Sequence, residues 1–109
     1  MASKYPKMYN WLKEYLKSKN IDIENIFTRK VQGSDIYFEQ RCVVCNALYH
    51  ELYIDTQFIG DIVGLTKVTV AKILNVFTLE DCLIKHKDLY EDLINNLIKE
   101  VDNDTCVIV

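Results

Sequence analysis

The sequence predicts an all-α protein, a small bundle of about five to six helices. Apolar residues recur at helical spacing through most of the chain. Gly and Pro, the residues that most often interrupt helices, number only four in 109 residues. Half of the residues are hydrophobic and 27% are charged, a composition that can bury a core without disulfide bonds. We therefore expect one helical domain over residues 1–109.

Composition also bounds the location and the class of partner. There is no apolar run of ~18 residues and no signal-peptide core near the N-terminus, so we expect a cytoplasmic protein without a membrane partner. The net charge is −3. Residues 1–78 carry ten basic and eight acidic side chains, whereas residues 79–109 carry three and eight. The mildly basic part can attract phosphates, in a manner that salt would weaken strongly.

The first half of the chain predicts three helices. Residues 7–19 have an amphipathic pattern, with Pro6 in the first turn. Residues 22–27 form a second, short helix, and residues 31–34 are the best candidate for a loop. Residues 36–53, with Ser34 or Asp35 as a cap, are apolar on most sides. That pattern is typical of the central helix of a small bundle.

The acidic C-terminal helical region, residues 79–101, follows the pattern of two helices. Thr78 precedes Glu80 and Asp81 as a cap precedes an acidic first turn, and Asp88 with Glu91 repeats that signature. We expect helices near residues 79–86 and 89–101, the second with a wide apolar stripe. This region either packs against the rest of the bundle or forms the interface of a homodimer. Four aromatic residues are a second candidate for that interface: Tyr5, Tyr9, Trp11 and Tyr15.

Residues 56–75 have the pattern of a helix-turn-helix. Five apolar residues stand where two packed helices would face the core: Ile59, Val63, Leu65, Val70 and Ile73. Gly60 is small where the helices would cross. Gly64 stands where the turn needs a positive φ, which glycine adopts without steric cost. Thr66 is then a suitable N-cap for the second helix.

The stretch from Ile59 to Leu74 resembles the helix-turn-helix of bacterial transcription regulators. This resemblance implies a small bacterial or phage regulator of transcription whose second helix enters the major groove of double-stranded DNA. A weaker resemblance links Arg41, Ala47-Leu48-Tyr49, Ile59-Gly60, Gly64 and Thr69-Val70 to the DNA-binding domain of bacterial replication initiators. It implies a Trp-repressor-like fold in which a long helix with a basic residue precedes the motif. Because Thr66-Lys67-Val68 replaces that family's Arg-Asp-His, we carry over only its fold.

The predicted DNA-contacting residues lie mainly on the second helix of the motif. Its early exposed positions are Thr66, Lys67, Val68, Thr69 and Lys72, and Asn75 lies further along. Lysines can contact guanine edges or phosphates, and hydroxyl groups can form hydrogen bonds with bases or with phosphates. The methyl groups of Val68 and Thr69 can contact thymine methyl groups. Arg29, Lys30 and Arg41 are additional basic candidates for phosphate contacts. Arg41 could equally be a surface salt-bridge partner.

Two alternatives stand beside DNA binding. The same scaffold could be a helical protein-interaction module, which the net charge of −3 favours. Cys42 and Cys45 with Cys82 and His86 have the number of ligands of a zinc site, or are small core residues and an unrelated histidine. No catalytic arrangement stands out, so we expect no enzyme and no cofactor.

Overall fold

The structure, a computed structural model, describes residues 5–27 and 36–103, with side chains described as far as residue 99. These residues form α-helices and no β-strand, so the predicted all-α class is confirmed. There are seven helices in the described residues, where about five to six were expected. They are α1 (Pro6–Ser18), α2 (Ile23–Phe27), α3 (Ile36–Glu51), α4 (Thr56–Val63), α5 (Lys67–Val76), α6 (Leu79–Lys85) and α7 (Lys87–Asn103).

Some predictions concern residues outside the described ranges. These are the loop at residues 31–34, the caps Ser34 and Asp35, and the basic residues Arg29 and Lys30. They stay predictions.

Helix α3 is the centre of the bundle, as its apolar pattern predicted. Eight consecutive residues of α3 are buried, from Arg41 to Leu48. Burial on every side requires neighbours all round, and α3 contacts α2, α4, α5, α6 and α7. Helix α3, which precedes the predicted motif, is therefore the core helix against which α4 and α5 pack.

Helix α1 covers one side of this core. Pro6 lies in its first turn, as predicted, where the missing N–H costs nothing. Its buried face consists of Met8, Leu12, Tyr15 and Leu16. The Tyr15 hydroxyl donates a hydrogen bond to Asp92 Oδ2 of α7 at 2.5 Å, which connects the first helix to the last.

A sharp corner separates α3 from α4. Helix α3 ends at Glu51, a few residues before the predicted end, and Tyr53 takes a positive φ of 56°. Asp55 then caps α4, since its side chain accepts a hydrogen bond from the Phe58 N–H at 2.8 Å. Positive φ is uncommon for an aromatic residue, which is why the sequence did not indicate the break at this position.

Helices α6 and α7 complete the bundle. The Thr78 side chain and Asp81 form a reciprocal capping box at the start of α6, which confirms the predicted cap. Helix α7 begins at Lys87, two residues before its predicted start, and buries Tyr90, Leu93 and Leu97. Within the described ranges, no helix has both the length and the apolar character needed to cross a bilayer.

Candidate functional site

The segment predicted to contact DNA consists of α4, the connection Gly64–Thr66 and α5. The two helices pack closely on each other and on α3. Four of the five residues expected to face the core are buried, and Leu65 is half-buried. Ile62, which the sequence pattern did not single out, is also fully buried. The buried side chains of the two helices are those of Ile59, Ile62, Val63, Val70 and Ile73.

The connection between α4 and α5 depends on two glycines. Gly64 has φ 81° and ψ 28°, the left-handed conformation predicted for it. The backbone N–H groups of Gly64 and Leu65 both donate to the Gly60 carbonyl oxygen, at 2.8 and 2.9 Å. A Cβ atom on residue 60 would clash with the Leu65 carbonyl oxygen. The chain therefore turns so tightly against α4 that residue 60 has no room for a side chain.

Thr66 is the N-cap of α5, as predicted. Its Oγ1 accepts a hydrogen bond from the Thr69 N–H at 3.2 Å, which satisfies one of the unpaired donors of the first turn. The Thr66 and Thr69 hydroxyls are also 2.9 Å apart and hydrogen-bonded to each other. Both hydroxyls are thus engaged within the helix start, which leaves them less free to contact a ligand.

The outer face of α5 combines positive charge with an exposed aliphatic side chain. Four of the predicted residues within α5 are exposed: Lys67, Val68, Lys72 and Asn75. Thr69 is half-buried, and Val68 is 68% exposed. Val68, Lys72 and Asn75 are spaced at i, i+4 and i+7, so they share one face of the helix. Helical rise puts Asn75 about 12 Å along the axis from Lys67.

The carboxylates of this segment belong to α4 and its cap, and none lies on α5. Asp55 is engaged as the cap of α4, and Asp61 Oδ1 accepts a hydrogen bond from Gln57 Nε2 at 3.1 Å. Among the described residues of α4 and α5, the cations are Lys67 and Lys72. The face is therefore positive, but with only two charges to attract an anionic partner.

Arg41 is not part of this face, which corrects its prediction as a phosphate contact. Its side chain is only 8% exposed, and Nε donates a hydrogen bond to the Ile26 carbonyl oxygen. The guanidinium also lies over the Phe27 ring, 5.9 Å from its centroid. Burial lowers the pKa of Arg41, against the influence of Cys45 and Cys42. Arg41 thus fastens the end of α2 to α3.

Among the described residues, Cys42, Cys45, Cys82 and His86 are not grouped as the ligands of a metal ion would be. Cys42, Cys45 and Cys82 are fully buried free thiols. Burial raises the pKa of Cys45 and of Cys82 to about 12, so both stay protonated near neutrality. His86 Nε2 is instead 2.7 Å from Glu39 Oε1. In the part of the chain that is described, no three His, Cys, Asp or Glu side chains are grouped to hold a metal ion.

The aromatic residues proposed for a dimer interface make contacts inside the chain. Tyr5 stacks on Phe58 of α4 with ring centroids 4.5 Å apart. Trp11 stacks on Tyr15 at 5.5 Å, and Tyr15 is 9% exposed. The first contact joins the start of α1 to α4 and the second lies within α1. Of the four residues, Tyr15 is buried, and Tyr5, Tyr9 and Trp11 are half-buried.

No protein-family model matches the chain, and comparisons with curated proteins and with solved structures gave no match either.

Proposed function

We propose that the protein binds double-stranded DNA, with α4, the Gly64–Thr66 turn and α5 acting as a helix-turn-helix. In this proposal α5 is the recognition helix, and the protein is a small cytoplasmic regulator of transcription of bacterial or phage type. The single observation that carries the proposal is the tight, glycine-dependent turn after which α5 packs on α3 with one face and leaves Lys67 and Val68 of its first turn exposed.

The geometry of α5 supports entry into a groove. A major groove is about 12 Å wide and admits one α-helix. The buried side of α5 consists of Val70 and Ile73, so the opposite side, with Val68 and Lys72, is the one that would enter. The first turn of a helix also offers backbone N–H groups and positive dipole to phosphates.

The side chains of α5 support a particular division of roles. Lys67 and Lys72 would contact phosphates or guanine edges, and Val68 would contact thymine methyl groups. Thr66 would mainly hold the helix start, because its Oγ1 is engaged with Thr69. Asn75, further along, would contact the backbone. With few base-reading polar groups, we expect modest sequence discrimination per contact and a strong dependence on salt.

The alternative function is protein binding through the same scaffold. It is favoured by one observation, the 68% exposure of Val68 beside only two lysines. A protein partner would bury this aliphatic side chain and would lose affinity with salt far less steeply than a polyanion. Salt dependence therefore separates the two functions.

The proposal is tested by fluorescence anisotropy with a labelled duplex selected from a random pool. We expect binding by the natural chain and a loss of affinity in Lys67→Ala/Lys72→Ala. The matched control is Lys13→Ala/Lys17→Ala, which removes the same charge from exposed positions on α1. An equal loss of DNA affinity in both double variants would indicate that only the net charge of the protein attracts DNA. Unchanged DNA affinity in Lys67→Ala/Lys72→Ala would show that α5 is not part of the interface.

A further inference from the structure

Helix α6 presents two large aliphatic side chains to solvent. Leu83 is 40% exposed and Ile84 is 71% exposed, although such residues are usually buried. On the other side of α6, Cys82 is fully buried where the helix packs on α3. The outer side of α6 is therefore an apolar stripe that the described part of this chain does not cover.

Opposite charges flank this stripe at its two ends. Glu80 lies about one helical turn before Leu83 and Ile84, and Lys87 follows the C-terminal end of α6, three residues after Ile84. Both charged residues are exposed. Within the described residues, neither takes part in an ion pair. Glu80, Leu83 and Ile84 share one face of α6, and Lys87 is the first residue of α7, just beyond the bend at His86 that ends α6.

The acidic, aliphatic and basic residues of α6 and its C-terminal end are complementary to those of a second, antiparallel copy. If two such helices lie antiparallel, with a two-fold axis between residues 83 and 84, Glu80 of each copy meets Lys87 of the other. Leu83 of each copy then meets Ile84 of the other. In a two-fold symmetric contact each such pair occurs twice, so four aliphatic side chains are bordered by two ion pairs.

We propose that α6 is the centre of a homodimer interface, in which it pairs antiparallel with α6 of a second copy of this chain. We infer that the partner is a second copy of this chain, because in an antiparallel pair the acidic end of each α6 lies beside the basic end of the other and the aliphatic residues meet in the middle. A parallel arrangement would instead bring like charges together.

A hollow beside α6 enlarges this interface. A two-turn helix alone offers less surface than the roughly 800 Å² per partner of a stable interface. The hollow measures about 530 Å³ and lies between the ends of α3 and α5 and the start of α6, lined by His50, Leu74, Thr78, Leu79, Glu80 and Leu83. Because Leu83 forms part of its wall, Ile84 of the second copy would enter it.

The dimer has a consequence that rests on the proposed function. Only Phe77 and Thr78 separate α5 from α6, so a two-fold axis at α6 relates two α5 helices symmetrically. Such a dimer would bind an inverted repeat in DNA. The self-association itself does not depend on DNA binding.

Sedimentation equilibrium of the full chain without DNA tests the interface. The natural chain should shift from the mass of one chain to that of two as its concentration rises. Ile84→Glu should remain at the mass of one chain. The matched control is Ile98→Glu, at an exposed position on α7, which should dimerise as the natural chain does. A natural chain that stays monomeric throughout, or a control that dissociates equally, would overturn the proposal.

A charge exchange tests the antiparallel pairing. Glu80→Lys and Lys87→Glu should each weaken dimerisation by about tenfold or more, because each creates two like-charge contacts. The double variant Glu80→Lys/Lys87→Glu should regain most of that affinity. If it stays as weak as the single variants, the pairing is wrong. Variants that are monomeric should still bind a single DNA half-site, so loss of dimerisation and failure of DNA binding give different results.

Discussion

The side-chain amide of Asn46 donates a hydrogen bond to the Phe77 carbonyl oxygen at 2.9 Å. Asn46 is fully buried in the middle of α3, and Phe77 is the C-cap of α5. The same Nδ2 donates to the Cys42 carbonyl oxygen at 2.8 Å. A polar group in the core thus fixes where the proposed recognition helix ends. Buried polar side chains of this kind specify position.

Replacing Asn46 should destabilise the protein. Asn46→Ala leaves the Phe77 carbonyl without this donor in a buried environment, which costs about 1–3 kcal/mol of unfolding free energy. Urea denaturation monitored by circular dichroism measures the change. Asn95→Ala, at an exposed position on α7, should change the unfolding free energy by less than about 0.5 kcal/mol. Equal stability of Asn46→Ala and the natural chain would mean that the hydrogen bond contributes little.

Substitutions at the two turn glycines should differ in their cost. Gly64→Ala imposes a left-handed conformation on a residue with a Cβ, at about 1–2 kcal/mol. Gly60→Ala forces the Leu65 carbonyl away from the new Cβ, and such overpacking costs about 1–3 kcal/mol or more. Because the obstacle is backbone, Gly60→Ala should also move α5 and weaken DNA binding. Full affinity in a folded Gly60→Ala variant would argue against a fixed turn.

The salt dependence of DNA binding should report the two lysines of α5. Each phosphate contact contributes about one unit to the slope of log affinity against log salt. Lys67→Ala/Lys72→Ala should therefore reduce that slope by about two units, as measured by anisotropy across a salt series. An unchanged slope would show that these lysines do not contact phosphates.

Val68 should make binding sensitive to thymine methyl groups. Replacing thymine by deoxyuridine in the bound duplex removes only the C5 methyl group, and the natural chain should bind the altered duplex more weakly. Val68→Ala, which removes the exposed methyl groups, should distinguish the two duplexes less. An identical preference in both proteins would assign methyl recognition to other residues.

The pH dependence of stability should reflect the contact between Tyr15 and Asp92. The hydrogen bond from Tyr15, and then that from Lys19, lower the pKa of Asp92 below its ordinary value of 3.8. Because the pKa of Asp92 is lower in the folded chain than in the unfolded chain, ionised Asp92 stabilises the folded state at any pH above its unfolded-chain pKa. This stabilisation is lost as the pH falls through the pKa of Asp92 in the folded chain. Asp92→Asn should therefore have a lower Tm than the natural chain at neutral pH. The difference in Tm between the two proteins should become smaller in strong acid. A difference in Tm that is the same at every pH would show that the ionisation of Asp92 does not contribute to stability.

Much of the fold followed from the sequence because its signals are local. Thr66 and Thr78 are caps by residue type and spacing, and Gly64 is the residue that a left-handed turn requires. The central position of α3 followed from apolar residues on all its sides. The burial of Arg41 could not be predicted from the same pattern. Because α3 has no polar face, its sequence does not indicate in which direction the Arg41 side chain points.

Long-range contacts explain what the sequence could not predict at the candidate site. Arg41 is held by the Ile26 carbonyl, one of the helix-end acceptors of α2 that need a partner. The exposed stripe of Leu83 and Ile84 was also missed. Its spacing is visible in the sequence, but only the packing of Cys82 on α3 shows which side of α6 faces solvent.

The central claim is that the outer face of α5 contacts double-stranded DNA. Backbone amide chemical-shift mapping by ¹⁵N NMR, with a duplex selected from a random pool, measures this most directly. The proposal predicts that the largest shifts fall on the turn and the first half of α5, from Leu65 to Lys72. Largest shifts on α7 or on α1 instead, or no shifts at duplex concentrations well above the protein's, would contradict it.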